Sequence, residues 1–351
     1  MSSAIRATGV RYDAMPTLRP SKALPATPWG GRRAGDDYGA TASPDWRSID
    51  WQPWLRQLSI GGRSVNYVDL PPSALGFDDS GREPVVFVHG LGGCWQNFLE
   101  NVPRAAAEGR RALALDLPGF GFSEMPAEDI SISGYGKTVH TLCDVLDLGE
   151  VVLVGNSMGG FISAEVAIQF PARVARLVLV SAAGVTTSDL RSGPILAGAR
   201  VVAFAATRTA TAAVSERIVR RPVLRHLTYN SFIRHPTRVR PELLYEITRG
   251  SGRPGFVDAL RAIIDYDFRE RLPEIGCPTL IVWGTDDMLV PSSDADEYER
   301  LIEGSRKVVF EDTGHMAMIE RPQTFNDCMM EFLAAEPDAP ASEAEVEAAG
   351  G

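Results

Sequence analysis

Val151-Val152-Leu153-Val154-Gly155-Asn156-Ser157-Met158-Gly159-Gly160 is the stretch whose reading decides the fold. β-Branched Val151, Val152 and Val154 suit a strand buried on both faces. Gly155 and Gly159 leave the backbone room to reverse tightly around Ser157. A segment of helical character follows, from Phe161 to Phe170. The serine is therefore expected on a sharp strand-to-helix corner, with backbone N–H groups of the helix start facing whatever binds there. The plain alternative is a glycine-rich turn carrying an inert serine.

The surrounding chain repeats the strand–helix rhythm. Leu58 to Leu70 reads as a hairpin turning at Gly61-Gly62, with Val65, Tyr67 and Leu70 on its second limb. Strands are expected at Pro84 to His89, Arg111 to Leu115 and Leu177 to Val180, with a helix at Ser133 to Leu148. From Val185 to Arg271 the rhythm stops and the chain looks helical, punctuated by Pro222, Pro236, Pro241 and Pro254. It resumes with a strand at Pro278 to Trp283, a helix at Ser292 to Ile302, a strand at Arg306 to Phe310 and a last helix at Arg321 to Ala335. Alternation of this kind argues an α/β fold with a parallel sheet covered on both faces. An insertion at the carboxyl ends of its strands would roof a site there.

The 351 residues carry a formal net charge of −10, and the acidic stretch 336–351 supplies five of those charges. That balance argues against general nucleic-acid binding. The block 185–271 has the opposite sign, with fifteen arginines against eight acids. Weak contact of this face with lipid surfaces is one reading, and a merely solvated face is the other. The four cysteines (Cys94, Cys143, Cys277 and Cys328) are scattered, which suits reduced thiols and a cytoplasmic setting. No signal-peptide run and no stretch of 18 uncharged apolar residues stands out. The expected organisation is a flexible or loosely docked N-terminal extension (1–48), a first core part (49–184), a helical cap (185–271), a second core part (272–335) and an acidic disordered tail (336–351). Trp46, Trp51 and Trp54 are expected to anchor the extension on the core.

A serine nucleophile needs a base, an orienter for that base, and donors for an oxyanion. Among five histidines, His315 alone lies in a loop between the last strand and the last helix, where an imidazole can reach over Ser157. His140 sits in a helical pattern, His226 and His235 in the inserted block, and His89 before a glycine loop. Asp286 and Asp287, beyond the strand ending at Trp283, are two adjacent carboxylates able to hold the base.

The sequence resembles the α/β-hydrolases of the lid-bearing α/β-hydrolase-1 type. The resemblance rests on His89-Gly90-Leu91-Gly92-Gly93, the run from Asp116 to Ser123, Gly155 to Gly160, the run from Gly284 to Pro291, and Gly314-His315. It implies a mostly parallel central sheet flanked by helices, with an inserted helical cap. The corner at Ser157 is then a nucleophile elbow, and the chain order Ser, Asp, His is that of the fold. The family pattern selects Asp287 over Asp286. It implies an oxyanion hole from the backbone N–H groups of Met158 and Leu91, with Gly92 the lesser choice for the second donor. His89 would hold the glycine loop, and Asp116 would hold a turn at a strand end. Gly90, Gly92, Trp95 and Met316 are expected at the substrate, with no cofactor and no metal.

Family members with aspartate at the elbow cleave haloalkanes and epoxides, so Ser157 argues for acyl transfer to water. The leading expectation is hydrolysis of carboxylic esters of apolar acyl groups, as by carboxylesterases and monoacylglycerol lipases. The alternative is carbon–carbon hydrolysis of ring-fission products, where Gly-Asn-Ser-Met-Gly-Gly is frequent. Those enzymes usually carry tryptophan after the catalytic histidine, where this chain has Met316, and an arginine in the lid, for which Arg249 is a candidate. A third reading is a non-catalytic ligand-binding protein on the same scaffold. Ile195, Leu196, Val201, Val202, Phe204, Leu224, Phe232, Leu244 and Phe256 would line an apolar pocket under the cap or form the cap's own core.

Overall fold

The computed structural model describes residues 37–186, 212–248 and 252–335. Eight strands form one sheet in the order β1-β2-β4-β3-β5-β6-β7-β8. They are β1 (Leu55–Ile60), β2 (Arg63–Leu70), β3 (Val85–Val88), β4 (Ala112–Leu115), β5 (Val151–Asn156), β6 (Val174–Val180), β7 (Thr279–Gly284) and β8 (Arg306–Phe310). β1 and β2 form the expected hairpin, and Gly61 and Gly62 both take positive φ (58° and 75°) as a tight primed turn requires. β2 also runs antiparallel to β4, and all the remaining pairs are parallel.

The apolar runs are buried on both faces because helices cover both. Val85, Phe87, Val152 and Val154 pack into one core layer, and Val86, Val88, Val151 and Leu153 into the other. This is the period-2 alternation of a doubly covered strand. Burying each such side chain contributes about 1.5–3 kcal/mol. β6 starts at Val174, earlier than the expected Leu177, because Arg176 interrupts the apolar run without breaking the ladder. Its guanidinium turns out to the carbonyl of Phe332. The helix after β5 starts at Met158 rather than Phe161, so Gly159 and Gly160 lie in its first turn.

Between β6 and β7 the described residues form helices at Ala212–Arg220, Pro222–Tyr229, Pro241–Ile247 and Phe256–Asp265, with a 3-10 turn at Arg269–Glu274 and no strand. Pro222 and Pro241 each open a helix, where a missing N–H costs nothing. Several arginines of this insert are matched by acids, two within it and two on the core. Arg220 pairs with Glu216, Arg261 with Asp258, Arg269 with Glu297 and Arg271 with Glu165. Arg225 is buried and donates to the carbonyl of Val239. Ile195, Leu196, Val201, Val202, Phe204 and Arg249 lie outside the described residues, as do residues 1–36 and the tail from 336.

Residues 37–48, assigned by sequence to the loose extension, are packed on the core. Tyr38, Ala42 and Trp46 are buried, and the Glu100 carboxylate accepts from Ala42 N (2.8 Å) and Trp46 Nε1 (3.0 Å). Trp46 and Trp51 are buried as anchors of this segment, while its Glu100 partner, far along the chain, left no mark in the sequence. Cys94, Cys143, Cys277 and Cys328 are free thiols. Among the described residues no helix is long and apolar enough to cross a membrane.

Candidate active site

A parallel sheet delivers the carboxyl ends of its strands to one edge, and the candidate residues arrive there from different strands. β5 ends at Asn156 and runs directly into Ser157, which takes φ 56° and ψ −120°. A non-glycine residue at that φ is strained, and the surrounding packing holds it. A Cβ on Gly155 would lie 2.2 Å from the Gly159 carbonyl oxygen, and one on Gly159 would lie 2.0 Å from that of Val88. Only glycine permits so close an approach. The Ser157 N–H donates to Val180 O (2.9 Å), and its carbonyl accepts from Phe161 N and Ala183 N (each 3.1 Å).

β8 leads into the loop carrying His315, and β7 into the loop carrying Asp287. His315 Nδ1 lies 2.8 Å from Asp287 Oδ2, and Asp287 Oδ1 accepts from Leu289 N (2.9 Å) and Val290 N (3.0 Å). The Asp287 side chain is wholly buried. Burial is the largest influence and pushes its pKa up, but the bond and charge of His315 and the two amides outweigh it, leaving it below the usual value. Asp286 instead sits partly exposed, with Arg234 Nε 3.4 Å from its Oδ1. Asn156 ties the two halves of the site together, donating from Nδ2 to Val180 O (3.1 Å) and His315 O (3.2 Å). The residue before the candidate nucleophile thus touches the candidate base.

The loop after β3 supplies the second set of groups. His89 is buried, with Nδ1 2.7 Å from Gly90 O and Nε2 3.0 Å from Leu117 N. An N–H must face a carbonyl and a lone pair must face an N–H, so the ring is neutral with its proton on Nδ1. Burial lowers its pKa to about 4. Gly93 N also donates to Gly90 O (3.0 Å). The Gly90 carbonyl and the Leu91 N–H belong to one planar trans peptide and point in opposite directions. Pinning the carbonyl on His89 and Gly93 therefore turns the Leu91 N–H the other way. A Cβ on Gly90 would lie 3.0 Å from Ser157 Cβ, so this peptide is held against the elbow.

Asp116 is the expected turn-holder. Its carboxylate accepts from Trp95 N, Phe122 N and Asn66 Nδ2 (each 2.8 Å), and burial raises its pKa to about 6. Of the residues expected at the substrate, Gly92 lies under the insert, where a Cβ would meet the Phe256 ring at 3.2 Å. Trp95 is instead a core residue, its ring 5.2 Å from that of Trp51, and what reaches the site's loops is its backbone N–H. Met316 is buried beside His315.

Sequence reasoning missed Glu320. Its fully buried carboxylate accepts from Gly314 N (2.9 Å) and Met316 N (3.1 Å), on either side of His315, and from Arg234 N (2.9 Å) and the Tyr38 hydroxyl. The only sequence cue was an acid at a position that buries in a helix next to the histidine loop. An open groove of about 600 Å³ between residues 125–132 and helix Phe256–Asp265 contains none of the candidate residues. Among the described residues no group of three histidine, cysteine or acidic side chains could hold a metal ion.

The chain belongs to the alpha/beta hydrolase fold family, which it matches over residues 83–322. It is 32% identical over 267 residues to a 2-hydroxy-6-oxononadienedioate/2-hydroxy-6-oxononatrienedioate hydrolase of Klebsiella pneumoniae, covering 72% of this chain and 88% of that protein. It is 31% identical over 290 residues to the dihydrolipoyllysine-residue acetyltransferase component of the acetoin cleaving system of Pseudomonas putida, covering 80% of this chain and 70% of that one. The enol-lactonase of Burkholderia xenovorans LB400 superposes with a TM-score of 0.61 at 23% identity, over 80% of this chain and 100% of its own, and shares the fold.

Proposed function

We propose that the protein is a serine hydrolase that cleaves the carbon–carbon bond beside a ketone in a vinylogous diketone acid of the ring-fission type. Ser157 is the nucleophile, His315 the base and Asp287 the orienter. The observation that carries the chemistry is the Asp287–His315 pair, locked at 2.8 Å and joined to the elbow through Asn156. An Nδ1–H held by a carboxylate leaves Nε2 free to accept the serine proton. The Ser157 oxygen adds to the carbonyl carbon while its proton passes to His315. The carbonyl oxygen becomes an oxyanion facing the Met158 and Leu91 N–H groups. The carbon–carbon bond then breaks, and its electron pair leaves as a dienolate that takes the proton from His315. Water, deprotonated by the same imidazole, adds to the acyl-enzyme; the bond from Ser157 oxygen to the acyl carbon breaks, Ser157 takes the proton back from His315, and a carboxylic acid leaves. The helical insert over Gly92 and Gly119 roofs the site and sets the substrate's shape.

The relative from Klebsiella pneumoniae, aligned over most of its length, supports this substrate class above the simple esters that the sequence first suggests. One observation favours the second reading, a carboxylesterase: Met316 stands where carbon–carbon hydrolases usually carry tryptophan. In that case the leaving group is an alkoxide and the other steps are unchanged. The test is to measure kcat/KM for a ring-fission dienol acid and for p-nitrophenyl esters of graded chain length, with Ser157→Ala as the blank. The dienol is expected to exceed every ester by at least about a hundredfold. An ester ahead by that margin replaces the first reading with the second, and full activity in Ser157→Ala removes both.

A further inference from the structure

We propose that Tyr38, acting through Glu320, is a positioning residue for His315, so that chain ahead of the hydrolase core is a working part of the reaction site. The proposal rests on His315 being the base. Tyr38 precedes the family-matched residues 83–322 by more than forty positions, yet its hydroxyl donates to Glu320 Oε2 and accepts from His235 N at 2.7 Å. A hydroxyl has one proton, and the amide on its other side fixes that proton towards the carboxylate. Glu320 in turn grips the amides immediately before and after His315. His315 N itself donates to Phe232 O (3.1 Å), three residues from His235. Arm, insert and histidine loop therefore meet on one buried carboxylate.

The arm is fixed independently of this hydroxyl. Gly39 N donates to Glu320 O (2.7 Å), and Asp37 binds Arg321 and Thr324. The guanidinium carbons of Arg321 and Arg238 lie 5.4 and 5.6 Å from the centre of the Tyr38 ring. Removing the hydroxyl alone leaves the ring seated and takes one of three donors from Glu320 Oε2. The carboxylate is buried, so it must make up the loss by shifting against Gly314 and Met316, the residues that place His315. A displacement of about 1 Å in a reacting group costs on the order of a hundredfold in rate, and a fraction of that distance costs about tenfold.

The experiment uses the full chain with Tyr38→Phe and Glu320→Gln. A fluorophosphonate titrates active sites and gives the rate of Ser157 phosphonylation, and kcat and KM are then measured per titrated site. Tyr38→Phe is expected to slow phosphonylation and kcat about tenfold, with KM within about twofold and little change in melting temperature. Glu320→Gln, which sets an amide NH2 against backbone donors, is expected to slow both more, or to fail to fold, in which case Tyr38→Phe decides. Wild-type rates per titrated site in Tyr38→Phe overturn the proposal, even if its melting temperature falls, because that is the mark of a purely structural contact. Wild-type protein that is labelled no faster than Ser157→Ala overturns the underlying hydrolase reading instead.

Discussion

Replacing Asp287 with asparagine tests the orientation of the base with almost no change of shape. In the wild type Oδ1 is committed to two backbone donors, Leu289 N and Val290 N, and Oδ2 to His315 Nδ1. An asparagine that keeps its oxygen on the two amides must turn its NH2 towards Nδ1. The imidazole then offers Nδ1 as acceptor and carries its proton on Nε2, the nitrogen that would have to accept the serine proton, and so cannot take it. The flipped amide restores an acceptor for Nδ1–H but sets NH2 against the N–H groups of Leu289 and Val290, at about 1–3 kcal/mol for such a donor left unpaired where it is buried. The wrong tautomer therefore dominates. In comparable triads this substitution lowers kcat about 10⁴-fold, close to 5.5 kcal/mol of transition-state stabilisation. The assay is steady-state hydrolysis near pH 7.5 by protein whose circular dichroism and melting temperature match the wild type. Asp286→Asn is the control, expected within about twofold, because its carboxylate faces Arg234 and solvent. Asp287→Asn retaining more than about a tenth of wild-type kcat refutes the assignment of the orienter.

His89→Ala should lower kcat by about tenfold to a hundredfold with little effect on KM, because it frees the Gly90 carbonyl that aims the Leu91 N–H; unchanged kcat per titrated site would show that Gly93 alone aims that peptide. Gly159→Ala should prevent accumulation of folded protein, since its Cβ would stand 2.0 Å from Val88 O, and a melting temperature within about 2 °C of wild type contradicts the packing described. Glu100 has a pKa raised by burial from 4.5 to about 7. The folded state therefore holds a proton that the unfolded chain has released, and this contribution is full below pH 4.5 and lost as pH rises to about 7. The stability of wild type relative to Glu100→Gln should fall by roughly 3 kcal/mol across that window in urea titrations; a difference that is flat with pH would show that Glu100 does not titrate there.

The sequence made the core legible because each strand-end motif carries its own local physics. Val151 to Val154 could be read as a buried strand, and the glycines around Ser157 as a close approach, with no knowledge of what approached. The pairing of His315 with an aspartate followed from the same edge logic, since both were expected in loops at strand ends. Helix starts were less visible: Gly159 and Gly160 read as turn residues because glycine disfavours helices, whereas here the approach of Val88 to Gly159 requires it. Glu320 and Glu100 left almost no trace. Each is a single acid with partners from distant segments, residues 38 and 234 for one (beside its near neighbours 314 and 316) and 42 and 46 for the other. No periodicity or spacing encodes such a convergence, and only the tryptophans at 46 and 51 pointed to the docking of this segment.

The same convergence bears on how the insert can behave during turnover. Phe232 O is the partner of His315 N, Arg234 N of Glu320, His235 N of Tyr38, and Gly255 N of Gly119 O. Each bond is worth about 1 kcal/mol net, so lifting residues 232–235 and 255–256 costs about 4 kcal/mol in these bonds alone, roughly a thousandfold in population. It would also strip the base of its own backbone anchor at the moment a substrate arrives. A hydrolase whose histidine loop is stitched to its insert gains a fixed base at the expense of an insert free to swing. Substrate passage is therefore expected to leave residues 232–235 and 255–256 seated. On the proposed reading, the part of the insert over Gly92 is then pre-formed, and shape at Phe256, more than closure, is expected to set what reaches Ser157.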